Sequence, residues 1–152
     1  REQLSTAGQP VAGTSLRYRN HEIELAWHHH FDERERWRVY TRLAWGRNLD
    51  NGSGYFDFDR SLASVQLRFR GGPWEVRAQG RVIYYDYAVQ QSDVNTGELR
   101  RRALVSSGLR VERKLRAAVR AFAEYDHEQA LTNLSYDGYR ANVVNLGLDW
   151  EF

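Results

Sequence analysis

The stretch from Asn145 to Phe152, NLGLDWEF, alternates small or polar residues with large apolar ones. In an extended chain, successive side chains point to opposite faces. Leu146, Leu148, Trp150 and Phe152 therefore share one face, with Asn145, Gly147, Asp149 and Glu151 on the other. The same period of two recurs back along the chain. Trp37, Val39, Thr41, Leu43 and Trp45 oppose Arg38, Tyr40, Arg42, Ala44 and Gly46. Ala63, Val65, Leu67 and Phe69 oppose Leu62, Ser64, Gln66, Arg68 and Arg70. Over 74–85, Trp74, Val76, Ala78, Gly80, Val82 and Tyr84 face away from Glu75, Arg77, Gln79, Arg81, Ile83 and Tyr85. Over 102–112, Ala103, Val105, Ser107, Leu109 and Val111 face away from Arg102, Leu104, Ser106, Gly108, Arg110 and Glu112.

Residues 21–31 alternate as well, with Ile23, Leu25 and Trp27 against Glu22, Glu24 and Ala26. Residues 115–125 fit a strand or a helical stripe (Leu115, Ala118, Val119, Phe122), and their strand neighbours decide for a strand. The segment TSLRYR at 14–19 has its apolar residues in the opposite parity to Ile23 and Leu25, which implies a tight turn near Asn20 or a bulge. The expectation is an all-β, antiparallel up-and-down β-barrel of about eight strands, or seven. Its connections alternate in length, with 48–60, 87–98 and 129–138 long and 32–36, 71–73 and 113–114 short. All long loops then lie at one end of the sheet.

Bulk properties agree with this. A chain of 152 residues is one domain by length. Residues 1–12 read as a polar tail or linker and 13–152 as the barrel domain, or as the carboxyl-terminal part of a larger barrel. The net charge of +2 demands no nucleic acid. All but one of the 22 basic residues are arginines, Lys114 being the only lysine. With no cysteine, the chain has no disulfide, thiol nucleophile or cysteine metal site. It also has no methionine and no apolar stretch resembling a signal peptide, which implies a processed or excised chain. No run approaches the ~20 apolar residues of a membrane helix, whereas a membrane strand needs only ~9–11 residues.

Alternation alone does not say which face is wet, since a soluble lipocalin-like ligand-binding barrel has the same parity. The aromatics favour a membrane. Trp27, Phe31, Trp37, Phe69, Trp74 and Trp150 gather at the short-turn end, and Trp45, Tyr84 and Tyr125 towards the long loops, as two interfacial girdles do. The polar face mixes Arg38, Arg42, Arg68, Arg77, Arg81, Arg110, Arg116 and Arg120 with Glu22, Glu24, Glu75, Glu112 and Glu124. In a narrow lumen such residues form ion pairs and hydrogen bonds.

NLGLDWEF also resembles the carboxyl-terminal β-signal of Gram-negative outer-membrane barrel proteins, met here by Asn145, Gly147, Trp150 and Phe152. The resemblance implies an outer-membrane location, contact with its lipids, and recognition by the barrel-assembly machinery. The wider hairpin from Tyr125 to Phe152 is similar to the closing hairpin of barrels associated with exopolysaccharide export, which brings in periplasmic or membrane partner proteins. The function expected is a structural or pore-forming barrel of porin or export type, without catalytic residues, metal or cofactor.

Other chemistries are weaker. His28 and His30 share a face at metal-ligand spacing, but nothing nominates a third ligand. Asp50, Asp57 and Asp59 lack EF-hand spacing, so a flexible acidic loop is expected there. A lipid-modifying enzyme would draw on His127 with Thr132 or Ser135, yet Asp126 and His127 are adjacent in a strand and point apart. Deleting Phe152 is expected to impair membrane assembly far more than the stability of an assembled barrel, read as the ratio of membrane-inserted to aggregated chain in cells. Normal assembly of the deleted chain would contradict the reading of the terminus.

Overall fold

The computed structural model describes residues 17–134 and 136–150. The proposed tail at 1–12, Ser135, Glu151 and Phe152 lie outside them. Among the described residues every regular element is a strand: β1 (Tyr18–His30), β2 (Trp37–Asp50), β3 (Phe58–Gly71), β4 (Trp74–Asp93), β5 (Glu98–Arg116), β6 (Val119–Thr132) and β7 (Tyr139–Trp150). They form one sheet in sequence order, each strand antiparallel to the next. Among the described residues the sheet has seven strands, the lower of the two expected numbers, and strand continues unbroken from Tyr18 through Asn20. Residues β-branched or aromatic on one face, with charge on the other, fit a pleated surface between two environments.

Two turns fall elsewhere than the sequence suggests. The 113–114 connection is strand, and the turn comes at Ala117 and Ala118. The expected long link at 87–98 is largely strand too. β4 and β5 continue past the rest of the sheet to Asp93 and from Glu98, with register shifts after Asp86. The connection 31–36 is as long as 133–138, so length alternates less cleanly than expected. Loops 51–57, 94–97 and 133–138 nevertheless lie at one end, and 31–36, 72–73 and 117–118 at the other.

The turns have local causes. Asp32 accepts hydrogen bonds from the Arg36 and Trp37 amides (2.6 and 3.1 Å) and from Arg36 Nε (2.7 Å). The Arg36 side chain, helped by these amides, holds the Asp32 carboxyl below its ordinary pKa. Gly72, with φ of 56°, supplies the left-handed backbone of the two-residue turn before Pro73. At the other end, the loop after β2 is tied by hydrogen bonds. Asp50 accepts from the amides of Gly52, Gly54 and Phe56 at 2.8, 3.0 and 2.9 Å, while Asn48 and Gln90 donate to the carbonyls of Phe56 and Tyr55.

Burial separates the two faces. Within the sheet, Ala44, Gly46, Asn48, Leu62, Ile83, Gln90, Glu112 and Ala130 are buried, and all lie on the charged face, Gln90 beside Arg100. Large apolar side chains of the opposite face stand in the open, among them Leu146 at 76 % exposure. The sheet therefore curls with its charged face inward. Residues two strands apart meet there, as Arg60 and Glu22 do at 2.5 Å and Arg110 and Asp149 at 3.0 Å.

Gly147 has a packing role on this inner face. A Cβ there would lie 2.7 Å from the Phe122 ring, over which the Arg110 guanidinium sits at 4.1 Å. Gly147→Ala is expected to push Phe122 aside and destabilise the folded sheet by about 1–3 kcal/mol, measured as a lower temperature for loss of the compact gel band. Truncating Phe122 in the same chain should recover part of that loss, and strict additivity would contradict the packing account.

Candidate functional site: the concave charged face

Strand register turns the parity of the sequence into rows across the sheet. Arg38, Arg68, Arg77 and Arg110 stand directly opposite one another on four adjacent strands, and Glu124 follows on β6. Like charges so placed repel, and carboxylates beside the row offset this. Glu75 receives Arg68 Nε, Arg70 Nε and Arg77 Nε at 2.7, 2.8 and 2.7 Å. Glu112, 5 % exposed, receives Arg110 Nε at 2.7 Å and lies 3.6 Å from Arg77 Nη2. Arg110 also reaches Glu124 at 2.9 Å and Asp149 at 3.0 Å, and Arg38 donates to Glu35. Guanidinium suits this role because its fork engages several carboxylates at once.

Towards the loops comes an amide row of Tyr40, Gln66, Gln79, Gly108 and Asp126, then a row of Arg42, Ser64, Arg81, Ser106 and Glu128. These two rows line an open cleft of about 480 Å³. Arg42 donates to Glu24 at 2.6 Å and lies 3.6 Å from Glu22. Arg81 stands between two serines, with no ion-pair partner among the described residues. The next row is apolar, with Ala44, Leu62, Ile83, Leu104 and Ala130 in line.

Beyond it, Phe58 packs against Tyr85 and Tyr87, and Arg100 lies 4.9 Å over the Tyr87 ring. Arg100 also binds Gln90 and Asp137, and Asn133 ties Ser92, Glu98 and the Leu99 carbonyl. These bonds brace the projecting β4–β5 hairpin against the β6–β7 loop.

All the acidic and basic residues read from the sequence as a lumen wall lie on this face, with one difference. Arg116 falls beyond a bulge, exposed at the β5–β6 turn and paired with Val119. Arg60 and Arg100 also belong to the face but lie outside the strand limits read from sequence, although Arg60 keeps the parity of Leu62 and Ser64.

The strand aromatics read from the sequence as girdles, Trp27, Trp37, Trp45, Phe69, Trp74, Tyr84, Tyr125 and Trp150, lie on the outer face. Trp37 packs on Phe69 at 4.5 Å, Trp27 and Phe31 flank the His29 ring, and Arg113 lies 5.2 Å from the Trp74 ring. Trp45 and Tyr84 are linked by a row through Ser61 near the loop end. Tyr125 is midway along β6, level with Leu109 and Val144, and is not at the rim.

The outer face is less uniform than the sequence implies. Ser107, His127 and Asn142 are consecutive in one row, and Asn142 Oδ1 lies 2.8 Å from both His127 Nδ1 and the Tyr125 hydroxyl. No hydrogen bond joins Ser107 to His127. Asp126 points to the concave face, as adjacency in a strand requires, so it does not orient His127. His28 instead packs on Tyr40 and His30 lies 3.5 Å from Glu35. Among the described residues no three histidine, aspartate or glutamate side chains are grouped to hold a metal ion.

Comparison with family models, curated proteins and solved structures finds no match. The class the chain defines is an all-β antiparallel meander. Replacing Glu75 by Gln would leave Arg68, Arg70 and Arg77 facing one another with no shared anion. It is expected to destabilise the sheet by about 2 kcal/mol, read as a lower unfolding temperature, with Glu33→Gln in the exposed turn as a neutral control.

Proposed function

We propose that this sheet is part of the wall of an integral β-barrel of a Gram-negative outer membrane, structural or pore-forming, with the apolar face against lipid. The observation that carries the reading is the inversion of exposure. Ile23, Leu25, Val65, Leu109, Val144 and Leu146 stand in the open, while charge and hydrogen-bonding groups are gathered on the concave side. A soluble sheet of this composition would bury the first set and hydrate the second. A lipocalin-like barrel needs the opposite curl.

In this reading Arg38, Arg42, Arg68, Arg77, Arg81 and Arg110, with their glutamates, line the lumen. Aromatic rings at the outer strand ends sit at the bilayer interfaces. The short turns face the periplasm, and the loops and the β4–β5 hairpin face outward. The resemblance of Asn145–Phe152 to a β-signal adds the assembly machinery as a partner during biogenesis. A wide lumen lined this way would pass polar or anionic solutes, and a narrow one would be filled by its own side chains.

The chain is expected to acquire β-structure in detergent micelles, running as a compact gel band that shifts on boiling, and to remain unfolded or aggregate in detergent-free buffer. Cooperative folding in plain buffer would overturn the membrane reading.

A further inference from the structure

The two edges of the sheet carry information that its faces do not. β1 starts level with Asp50, at the loop end, and finishes at the 31–36 turn. β7 starts at Tyr139, beside the 133–138 loop, and finishes level with Val119 at the turn end. The edge strands therefore run in the same direction, as the first and last of an odd number in a meander must. Neither pairs with the other in the sheet.

Both edges are built like paired strands. β1 has 13 residues and β7 has 12, without a register shift in either. Of the devices that blunt a free edge, lysine, proline, a bulge and a very short strand are absent from both, and the inward charges Glu22 and Glu24 of β1 are taken up by Arg60 and Arg42. The chain's one lysine, Lys114, lies in β5, and neither β1 nor β7 contains a proline. Each edge also continues the two-faced pattern, with Ile23 and Leu25 outward and Glu22 and Glu24 inward on β1, and Leu146 and Leu148 outward and Asn145 and Asp149 inward on β7. In hydrocarbon the unpaired amides and carbonyls of such edges require partners.

Three completions can be compared. Direct closure of β1 on β7 gives a seven-stranded barrel with a parallel seam, below the eight strands of the smallest outer-membrane barrels. A second copy with the same orientation in the membrane offers its β1 to this β7, so both seams are parallel, the less stable pairing. An inverted copy would put its loops on the wrong side. We infer that both edges are paired antiparallel by an odd number of further amphipathic strands, not by each other and not by a second copy. Those strands run from the turn end to the loop end at each seam, apolar outward and polar inward, and bring the total to an even number. This rests on the membrane reading above.

Cysteine pairs placed along β1 and β7 test it in cells, with Leu25→Cys and Leu43→Cys, opposite one another in register, as a control pair that must link. The expected result is a linked control and no β1–β7 disulfide, within one chain or between two. A disulfide within one chain would establish direct closure, and one between chains would establish a second copy. Either overturns the inference. Hydrogen exchange on the chain folded in micelles gives a second measurement. The outward amides of β1 and β7 should exchange roughly 100-fold faster than those of β3 to β5, and edges as protected as the centre would also overturn it. A protected sheet that forms in plain buffer instead would remove the membrane reading itself.

Discussion

The structure depends on the pairing of backbone amides and carbonyls between strands, which joins all seven described strands into one sheet. Once the ladders are made, each side chain is committed to one medium or the other by parity alone. A shift of one residue would transfer an entire strand's set of apolar residues to the charged side. The apolar band on β1, β2, β3 and β7 and the charged rows from β2 to β6 thus specify the same register from opposite directions.

That register has an electrostatic cost. It aligns four arginines on neighbouring strands, and the arrangement holds because Glu75 and Glu112 are interleaved so that each answers more than one cation, while Glu124 takes Arg110. Glu112 is the most buried charge on the sheet, and Arg110 bonds three carboxylates. Such a network couples its members, since moving one removes a partner from several others, most acutely at the buried Glu112. Above it the amide and serine rows are looser, with small residues leaving an open cleft, and an apolar line from Ala44 to Ala130 separates them from the aromatic and arginine groups at the loop end.

Much of this was legible in the sequence. Alternation located the strands because each separates two environments, and nearly every charged residue assigned to the inner face lies there. Turns were harder to read. Arg113 and Lys114 look like a turn because charge usually marks one, but charge is ordinary within a strand, and both residues lie in β5. The actual turn, Ala117 and Ala118, carries no turn chemistry. The outer halves of β4 and β5 were hidden for a related reason: beyond Asp86 the pairing is interrupted by register shifts, and alternation fades. The rows themselves could not be read, since they depend on turn positions to within one residue. The neighbouring Ser107, His127 and Asn142 emerge only from pairing across three strands.

Strand order has a consequence for assembly. Each strand pairs only with its predecessor and successor, so the closing of any interior ladder spans a single short loop, with little chain entropy to overcome. The sheet can grow one hairpin at a time from either side, and no strand must wait for a partner far away in sequence. Any long-range step is left to the two edges, β1 and β7, so what those edges meet, more than the growth of the sheet between them, is the slow choice in the folding of this chain.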